Sequence, residues 1–497
     1  MKNIKYILLS AVLVGFTACN DEADFEDQLD NPTVEVVLPE LTAGDADFSK
    51  YIAVGASFSG GFTDNALFIS GQENSFPNLL SQKFALLGGG DFTQPLMNDN
   101  IGGFVLGTTV VSNPRLYFNG SGPAVLPATP TTQITDVLTG DFNNYGIPGA
   151  KSFHLGIAGY GTLNPYFGRM ASSPGATILG DAVAQNPTFF TLSEIGGNDV
   201  LSYATSGGVG VDQTGNFDPT TYGTNDITDP NVFAASFNAS VDALTANGAK
   251  GVVANLPYIT SLAHFTTVPY NPVPLDAATA AALNQGYAAY NGGLQQAFAA
   301  LDGTGLFTAE ELAQRTISFS ESATNALVII DETLTDLGAI NPAFAGIPQY
   351  RQATADDLFV LPLSSLIPQG YGTQIPLEDK WALIPSEQLA LQTATDAYNA
   401  TIEAVAASKG LALVDFKSIL QQASTTGFQS GNFILTTDLV TGGLVSLDGV
   451  HLTSRGYALM ANEMMKAIDL TYGSNFEASG NLIDAGEYPT NYPPTLQ

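Results

Sequence analysis

The sequence predicts an α/β protein built around a mainly parallel sheet, and three observations predict it. Five short apolar runs stand between turn residues: Tyr51–Gly55, Phe142–Ile147, Thr188–Ile195, Gly251–Leu256 and Leu411–Phe416. They are continuous rather than alternating, which is the pattern of strands covered on both faces. Segments of helical periodicity separate them, and such alternation implies parallel strands joined by crossovers. The chain of 497 residues is 45% hydrophobic and 12% charged, which supplies a large core and excludes a disordered polymer.

The helices follow in order. Ser75 and Pro77 open a helical stretch through Leu79–Leu87. Phe233, Phe237, Val241 and Leu244 share one helical face ahead of a stop at Gly248. Ala277–Leu301 is rich in alanine and other good helix formers, and Glu387–Ser408 is a second long stretch closed by Gly410. Tyr457, Met460, Met464 and Ile468 form the face of the last helix, which ends near Gly473. Two stretches interrupt the alternation. Ser202–Pro230, rich in Gly, Thr, Asn and Asp, reads as a long loop. Tyr258–Pro385 reads as a large excursion holding one helix, the apolar run Ala326–Ile330 and irregular chain. The tail Asn475–Gln497 is polar and Pro-rich and is expected to be poorly ordered. No fixed-period repeat is present, which argues against a solenoid or propeller.

The N-terminus reads as a targeting segment. Lys2 and Lys5 precede the apolar run Ile7–Phe16, which is too short to span a bilayer, and Thr17 and Ala18 lead to Cys19. Cys19 is the only cysteine, so no disulfide can form within the chain. A sole cysteine at a cleavage point resembles a bacterial lipobox, whose cysteine is lipidated and becomes the mature N-terminus. The acidic run after it resembles the tract that directs some lipoproteins of Bacteroidetes-type bacteria to the cell surface. The chain therefore divides into a lipoprotein signal peptide (residues 1–19) and an acidic tether (20–48). A main domain (49–474) follows, with excursions at about 202–230 and 258–385, and then a polar tail (475–497). The expected location is the cell envelope, as an outer-membrane lipoprotein held by its lipid anchor. A net charge of -32 opposes binding to nucleic acid and docking on anionic lipid by charge alone.

Four short segments carry candidate chemistry. Residues 51–61 run from an apolar strand through Gly55 to Ser57, which places a serine at the exposed carboxyl edge of the sheet. This is not the Gly-x-Ser-x-Gly elbow, because Ser59 stands where that motif ends in Gly. Residues 446–457 hold Asp448 and His451 just before the last helix, a spacing that lets the carboxylate orient one imidazole nitrogen and leaves the other for a serine proton. Of the three histidines, only His451 has an acid at this spacing; His154 and His264 lie in apolar surroundings and read as packed side chains. Residues 194–201 contain Gly196, Gly197 and Asn198, whose amide can donate to an oxyanion, and residues 144–151 contain Gly149, whose backbone N–H can do the same.

In chain order these elements read Gly-x-Ser, Asn-x-x-x-x-Gly, Gly-x-Asn-Asp and Asp-x-x-His. That order resembles the SGNH, or GDSL-type, hydrolase family over residues 51 to about 470. The resemblance implies a flavodoxin-like three-layer α/β/α domain. It implies Ser57 as nucleophile, His451 as general base, Asp448 as its orienting acid, and an oxyanion hole of Ser57, Gly149 and Asn198. It implies a serine ester hydrolase needing no cofactor; the family spans lipases, esterases, acylhydrolases and carbohydrate deacetylases. The family signature has an Asp before its serine where this chain has Ala56, so the serine loop lacks that side chain here.

The expected substrate is a small-molecule or lipid ester. Tyr258–Tyr270 is apolar and aromatic and serves equally to line an acyl pocket or to pack the excursion onto the core. Within enzymes the alternative is deacylation of a glycan, although Trp381 is the only tryptophan available for stacking on sugars. Outside enzymes the alternative is a surface lipoprotein that binds nutrients, which leaves the ordered motifs unexplained. No His and carboxylate spacing suits zinc. Asp212, Asp218, Asp226 and Asp229 read as a solvated acidic loop in preference to a calcium site.

Overall fold

The computed structural model describes residues 37–497. The signal peptide, Cys19 and most of the acidic tether lie outside the described residues. Five strands form the central sheet: β1 Tyr51–Gly55, β2 Asn144–Gly146, β3 Phe189–Leu192, β4 Lys250–Ala254 and β5 Ala412–Val414. Each lies inside one of the five apolar runs or within a residue of it. The sheet order is β5-β4-β3-β1-β2 and every neighbouring pair is parallel. One row crosses the whole sheet: Asn144, Ala53, Thr191, Val252 and Ala412. All five carboxyl ends therefore emerge along one edge. No residue of β1 or β3 is exposed, so their side chains are mostly apolar, and the hydroxyls of Tyr51 and Thr191 satisfy each other at 3.0 Å.

Helices cover both faces. The principal ones are α1 Ser57–Gly60, α2 Phe76–Ala85, α3 Asn198–Thr205, α4 Pro230–Thr245, α5 Ala277–Ala300, α6 Pro385–Lys409, α7 Phe416–Ala423 and α8 Ser454–Tyr472. On one face Phe189 of β3 meets Phe84 of α2 and Tyr472 of α8 edge-on. Alternation sends Phe190 to the opposite face, where α4 and α6 stack Phe233 on Tyr398 at 4.3 Å. The helix ends follow local chemistry. The Asp229 side chain accepts the Asn231 and Val232 N–H groups at the start of α4. Pro385 opens α6 and left-handed Gly410 closes it; Thr453 caps α8 and left-handed Gly473 ends it.

Four expectations are corrected. The stretch Ser202–Pro230 is not loop from its start, since α3 continues to Thr205; beyond it Asp226 and Asp229 accept backbone N–H groups of Val211, Gly223 and Gly215 and so organise the loop. The excursion 258–385 holds more than one helix. Besides α5 it contains short helices such as Ala309–Arg315 and the antiparallel pair Val328–Ile330 with Tyr350–Gln352, built around hydrophobic clusters of its own. Buried Arg351 ties this annex together through Asp331 at 2.6 Å and Asp357 at 2.7 Å. The tail is packed: Phe476, Ile483 and Tyr492 are buried, and the buried Arg115 guanidinium donates to the carbonyls of Pro493 and Leu496. The tether ends before residue 48, because the Thr42 N–H donates to Asn475, the Asp45 N–H donates to Tyr472, and Phe48 is buried against Phe84. Among the described residues no helix is long and apolar enough to cross a membrane.

Candidate active site

The five residues expected to act in catalysis, Ser57, Gly149, Asn198, Asp448 and His451, stand on the turns, loops and helix starts that leave the sheet or precede α8, while Cys19 lies outside the described residues. β1 ends at Gly55, and Ser57 begins the single turn α1. Gly55 has to be glycine, because a Cβ there would overlap Ser59 Oγ and the Glu194 carboxylate. The Asp448–His451 segment immediately precedes α8. It closes on itself through Ser446 N–H to His451 O at 2.7 Å and Gly449 N–H to Ser446 O at 2.9 Å.

The two segments, 394 positions apart, meet in a relay. His451 Nε2 lies 3.0 Å from Ser57 Oγ, and His451 Nδ1 lies 2.9 Å from Asp448 Oδ2. Asp448 Oδ1 accepts the N–H groups of Val450 and His451, each at 2.8 Å. Burial alone would raise the Asp448 carboxyl, but the His451 imidazole and these hydrogen bonds outweigh it and hold the group well below the usual carboxylate range. It is therefore a fixed anion beside the imidazole. The rings of Phe62 and Phe58 flank His451 with centroids at 4.6 Å and 5.5 Å and restrict its rotation.

Three donors come from the serine's own turn and from the segments that leave β2 and β3 at the same sheet edge. Among the described residues the N–H groups of Ser57 and Gly149 donate to no protein group. Gly149 has φ +79, a left-handed conformation that suits glycine. The Asn198 side-chain amide gives one hydrogen to the Ala150 carbonyl at 2.9 Å, which sets its orientation and leaves the other hydrogen available. Such an arrangement can take a proton from the serine and hold negative charge on an oxygen next to it.

The other two histidines stand outside the relay. His154 Nδ1 accepts the Lys151 N–H at 3.0 Å, and burial with the nearby Lys151 charge pushes its imidazole down to about 4. His264 backs the Asp448 loop: its N–H donates to Gly449 O at 2.9 Å and its Nδ1 lies 3.2 Å from Asp448 O.

Two contributors escaped sequence reasoning. Asp64 and Asn65 both adopt positive φ, +52 and +63. The turn they make delivers the Asn65 N–H to Asp448 Oδ2 at 2.8 Å and lets Asp64 Oδ1 accept the Leu447 N–H at 3.0 Å. An Asp-Asn pair was the available signal, since these residues tolerate left-handed backbone. The second is Glu194. Its Oε1 accepts the N–H groups of Ala56 and Ser59, each at 2.7 Å, and so grips the serine turn from both sides. A carboxylate from β3's exit thus secures the serine turn. Burial pushes the Glu194 carboxyl up to about 7 against the pull of those hydrogen bonds.

Glu194 gives a direct test. Glu194→Ala leaves two shielded N–H groups unpaired at a cost of about 1–3 kcal/mol each, so the melting temperature drops and any hydrolytic kcat falls with it. Glu194→Gln keeps an acceptor oxygen and retains most of both. The wild-type carboxyl sits above its unfolded value, so its contribution to stability is full below the ordinary glutamate range and is lost as pH rises through about 7. The melting temperature of Glu194→Gln should therefore gain on wild type between mildly acidic and mildly alkaline pH; a constant difference would show that Glu194 does not carry this linkage.

Among the described residues one carboxylate group could meet a metal: Glu332, Asp379 and Glu387, with ligand atoms within 4.8 Å of one another. Glu332 and Asp379 lie in the excursion and Glu387 in the first turn of α6, and the group shares no residue with the relay. Compared with protein-family models, curated proteins and solved structures, the chain matches none.

Proposed function

We propose that this protein is a serine ester hydrolase of the SGNH type. One observation carries the reading: the continuous relay from Ser57 Oγ through His451 to Asp448, at 3.0 Å and 2.9 Å. The sheet supports it. Numbered along the chain, its order is 2-1-3-4-5, the order of flavodoxin-like doubly wound proteins, which take ligands at the carboxyl ends of their strands.

In this reading Ser57 Oγ attacks the ester carbonyl carbon while its proton passes to His451 Nε2. The carbonyl oxygen becomes an oxyanion held by Ser57 N–H, Gly149 N–H and the Asn198 amide. Each such donor is typically worth about 3–4 kcal/mol in the transition state. The C–O bond to the alcohol then breaks, and the Nε2 proton goes to the leaving oxygen. Water attacks the acyl-serine by the same path, releasing the acid and restoring Ser57. The residues that act are all side chains or N–H groups of the chain itself. The Cys19 anchor completes the proposal as a tether to the cell envelope.

The test uses the full chain, p-nitrophenyl esters and a fluorophosphonate. Hydrolysis should be accompanied by stoichiometric labelling in which Ser57 Oγ forms the P–O bond and fluoride leaves. Labelling of Ser59 in its place, or no labelling and no hydrolysis, would overturn the reading.

A further inference from the structure

Beside Ser57 a hollow of about 1000 Å³, counted with its open mouth, runs in from the carboxyl edge of the sheet. Ser57 and Asn198 stand on its wall, and α3, α7, α8 and the segment after β4 enclose it. Its inner surface is hydrocarbon: Leu256, Ile259, Leu262, Ile419, Leu420 and Met460 are representative. Few polar groups reach it: Ser57 and Asn198 at the reacting end, Glu194, whose Oε2 is buried without a partner, and Asn255. The Asn255 amide donates to Asp415 at 2.8 Å and accepts the Lys417 N–H at 3.0 Å, and Glu194 Oε1 is turned to the serine turn. Away from the serine end the lining is almost wholly hydrocarbon, so a glycan entering it would lose most of its water without replacement.

The segment Tyr258–Tyr270 is divided by this geometry. Ile259 and Leu262 face the hollow. Tyr258 turns away, donating to Asp396 at 2.6 Å under the Lys417 ammonium, and Tyr270 packs against the excursion's own cluster.

Resting on the hydrolase reading, we infer that the hollow is an acyl-chain site and that the substrate is an ester of a straight, medium-to-long fatty acid. The scissile carbonyl sits at Ser57 with its oxygen toward Asn198, the alkyl chain points inward past Leu256 and Ile419, and the alcohol stays at the solvent side. An acetyl group would leave the hollow empty, which separates this substrate class from the deacetylase alternative. Each methylene moved from water into the hollow should raise kcat/KM by about fourfold until the space is filled.

The experiment measures kcat/KM of the full-length protein on p-nitrophenyl acetate, butyrate, octanoate and decanoate. A steep rise from acetate to octanoate is expected. Ile419 is half-buried on α7 and touches none of the reacting atoms; Ile419→Trp should lower the ratio of octanoate to acetate by about tenfold or more by filling the hollow. A circular dichroism spectrum and melting temperature matching wild type guard against a folding defect of the larger side chain, and Ile419→Ala, which widens the hollow, should shift the preference toward decanoate. A binding readout separates the two layers of argument: decanoic acid should raise the melting temperature of Ser57→Ala protein, and Ile419→Trp should abolish that shift. Active hydrolysis with a flat or falling chain-length profile would overturn the acyl site and leave the hydrolase. Decanoic acid binding without hydrolysis of any ester would overturn the hydrolase and support the hollow as a fatty-acid site.

Discussion

On the proposed mechanism, Ser57→Ala should lower kcat on a matched ester by about a million-fold, to a residual rate sustained by binding and the oxyanion donors. The size of the loss follows from what the side chain does. Ser57 Oγ is the only atom at the mouth of the hollow that can form the acyl bond, and its hydrogen bond to His451 Nε2 at 3.0 Å is the route for its proton. The substitution removes nothing else. Ser57 is buried, but the turn is held by N–H groups of Ala56 and Ser59 on Glu194, which do not involve the Oγ. The circular dichroism spectrum and melting temperature should therefore match wild type, and fluorophosphonate labelling should vanish. An active Ser57→Ala protein would remove the nucleophile from the mechanism; an inactive but unfolded one is tested against Ser57→Thr, which keeps the hydroxyl and the turn.

How much of this was legible depends on where the causes lie along the chain. The five strands were readable because burial on both faces makes them predominantly apolar on consecutive positions, as in Ile52–Val54 of β1. Ser57 was readable because the chain must exit β1 at the sheet edge, and Asp448 with His451 because one short segment carries both. Glu194 was not. Its meaning lies in two N–H groups 135 and 138 positions away, and a lone glutamate after a strand gives no local sign of them. Asn65 is hidden for the same reason, 383 positions from Asp448. The excursion defeated periodicity because its pieces are too short to show it: the pair Leu358–Phe359 with Ala382–Leu383 is two residues a side, yet Phe359 and Leu383 are fully buried. The tail misled through composition. Its Pro and polar residues read as loose chain, while Tyr492 sits over Phe68 with the Arg115 guanidinium 5.8 Å from its ring. A few anchoring aromatics decide order there, and average polarity does not report them.

His451→Ala should cost about as much as losing the serine, since the two act as one unit, whereas His154→Ala and His264→Ala should keep turnover within about tenfold and act on stability. His154 accepts one backbone N–H and stacks on Tyr160, and His264 supports the Asp448 loop from behind; neither is hydrogen-bonded to Ser57. The pH profile gives the sign. Asp448 is held well below the usual carboxylate range, so it stays ionised from mildly acidic to alkaline pH and contributes no limb of its own there. General-base catalysis needs the imidazole neutral, so kcat/KM should rise with pH from the acid side. Asp448→Asn should lower kcat by about 10⁴-fold without abolishing it. The reason is a donor conflict. Asp448 Oδ1 can be replaced by the amide oxygen, which still takes the Val450 and His451 N–H groups, but Oδ2 faces both the Asn65 N–H and His451 Nδ1. An NH₂ group there opposes two donors, so the imidazole must present a bare Nδ1 and carry its hydrogen on Nε2, where it can no longer receive the serine proton. The three single histidine variants and Asp448→Asn, assayed on one ester after confirming equal folding, decide the assignment. Near-normal turnover in His451→Ala with an inactive His154→Ala would place the base elsewhere.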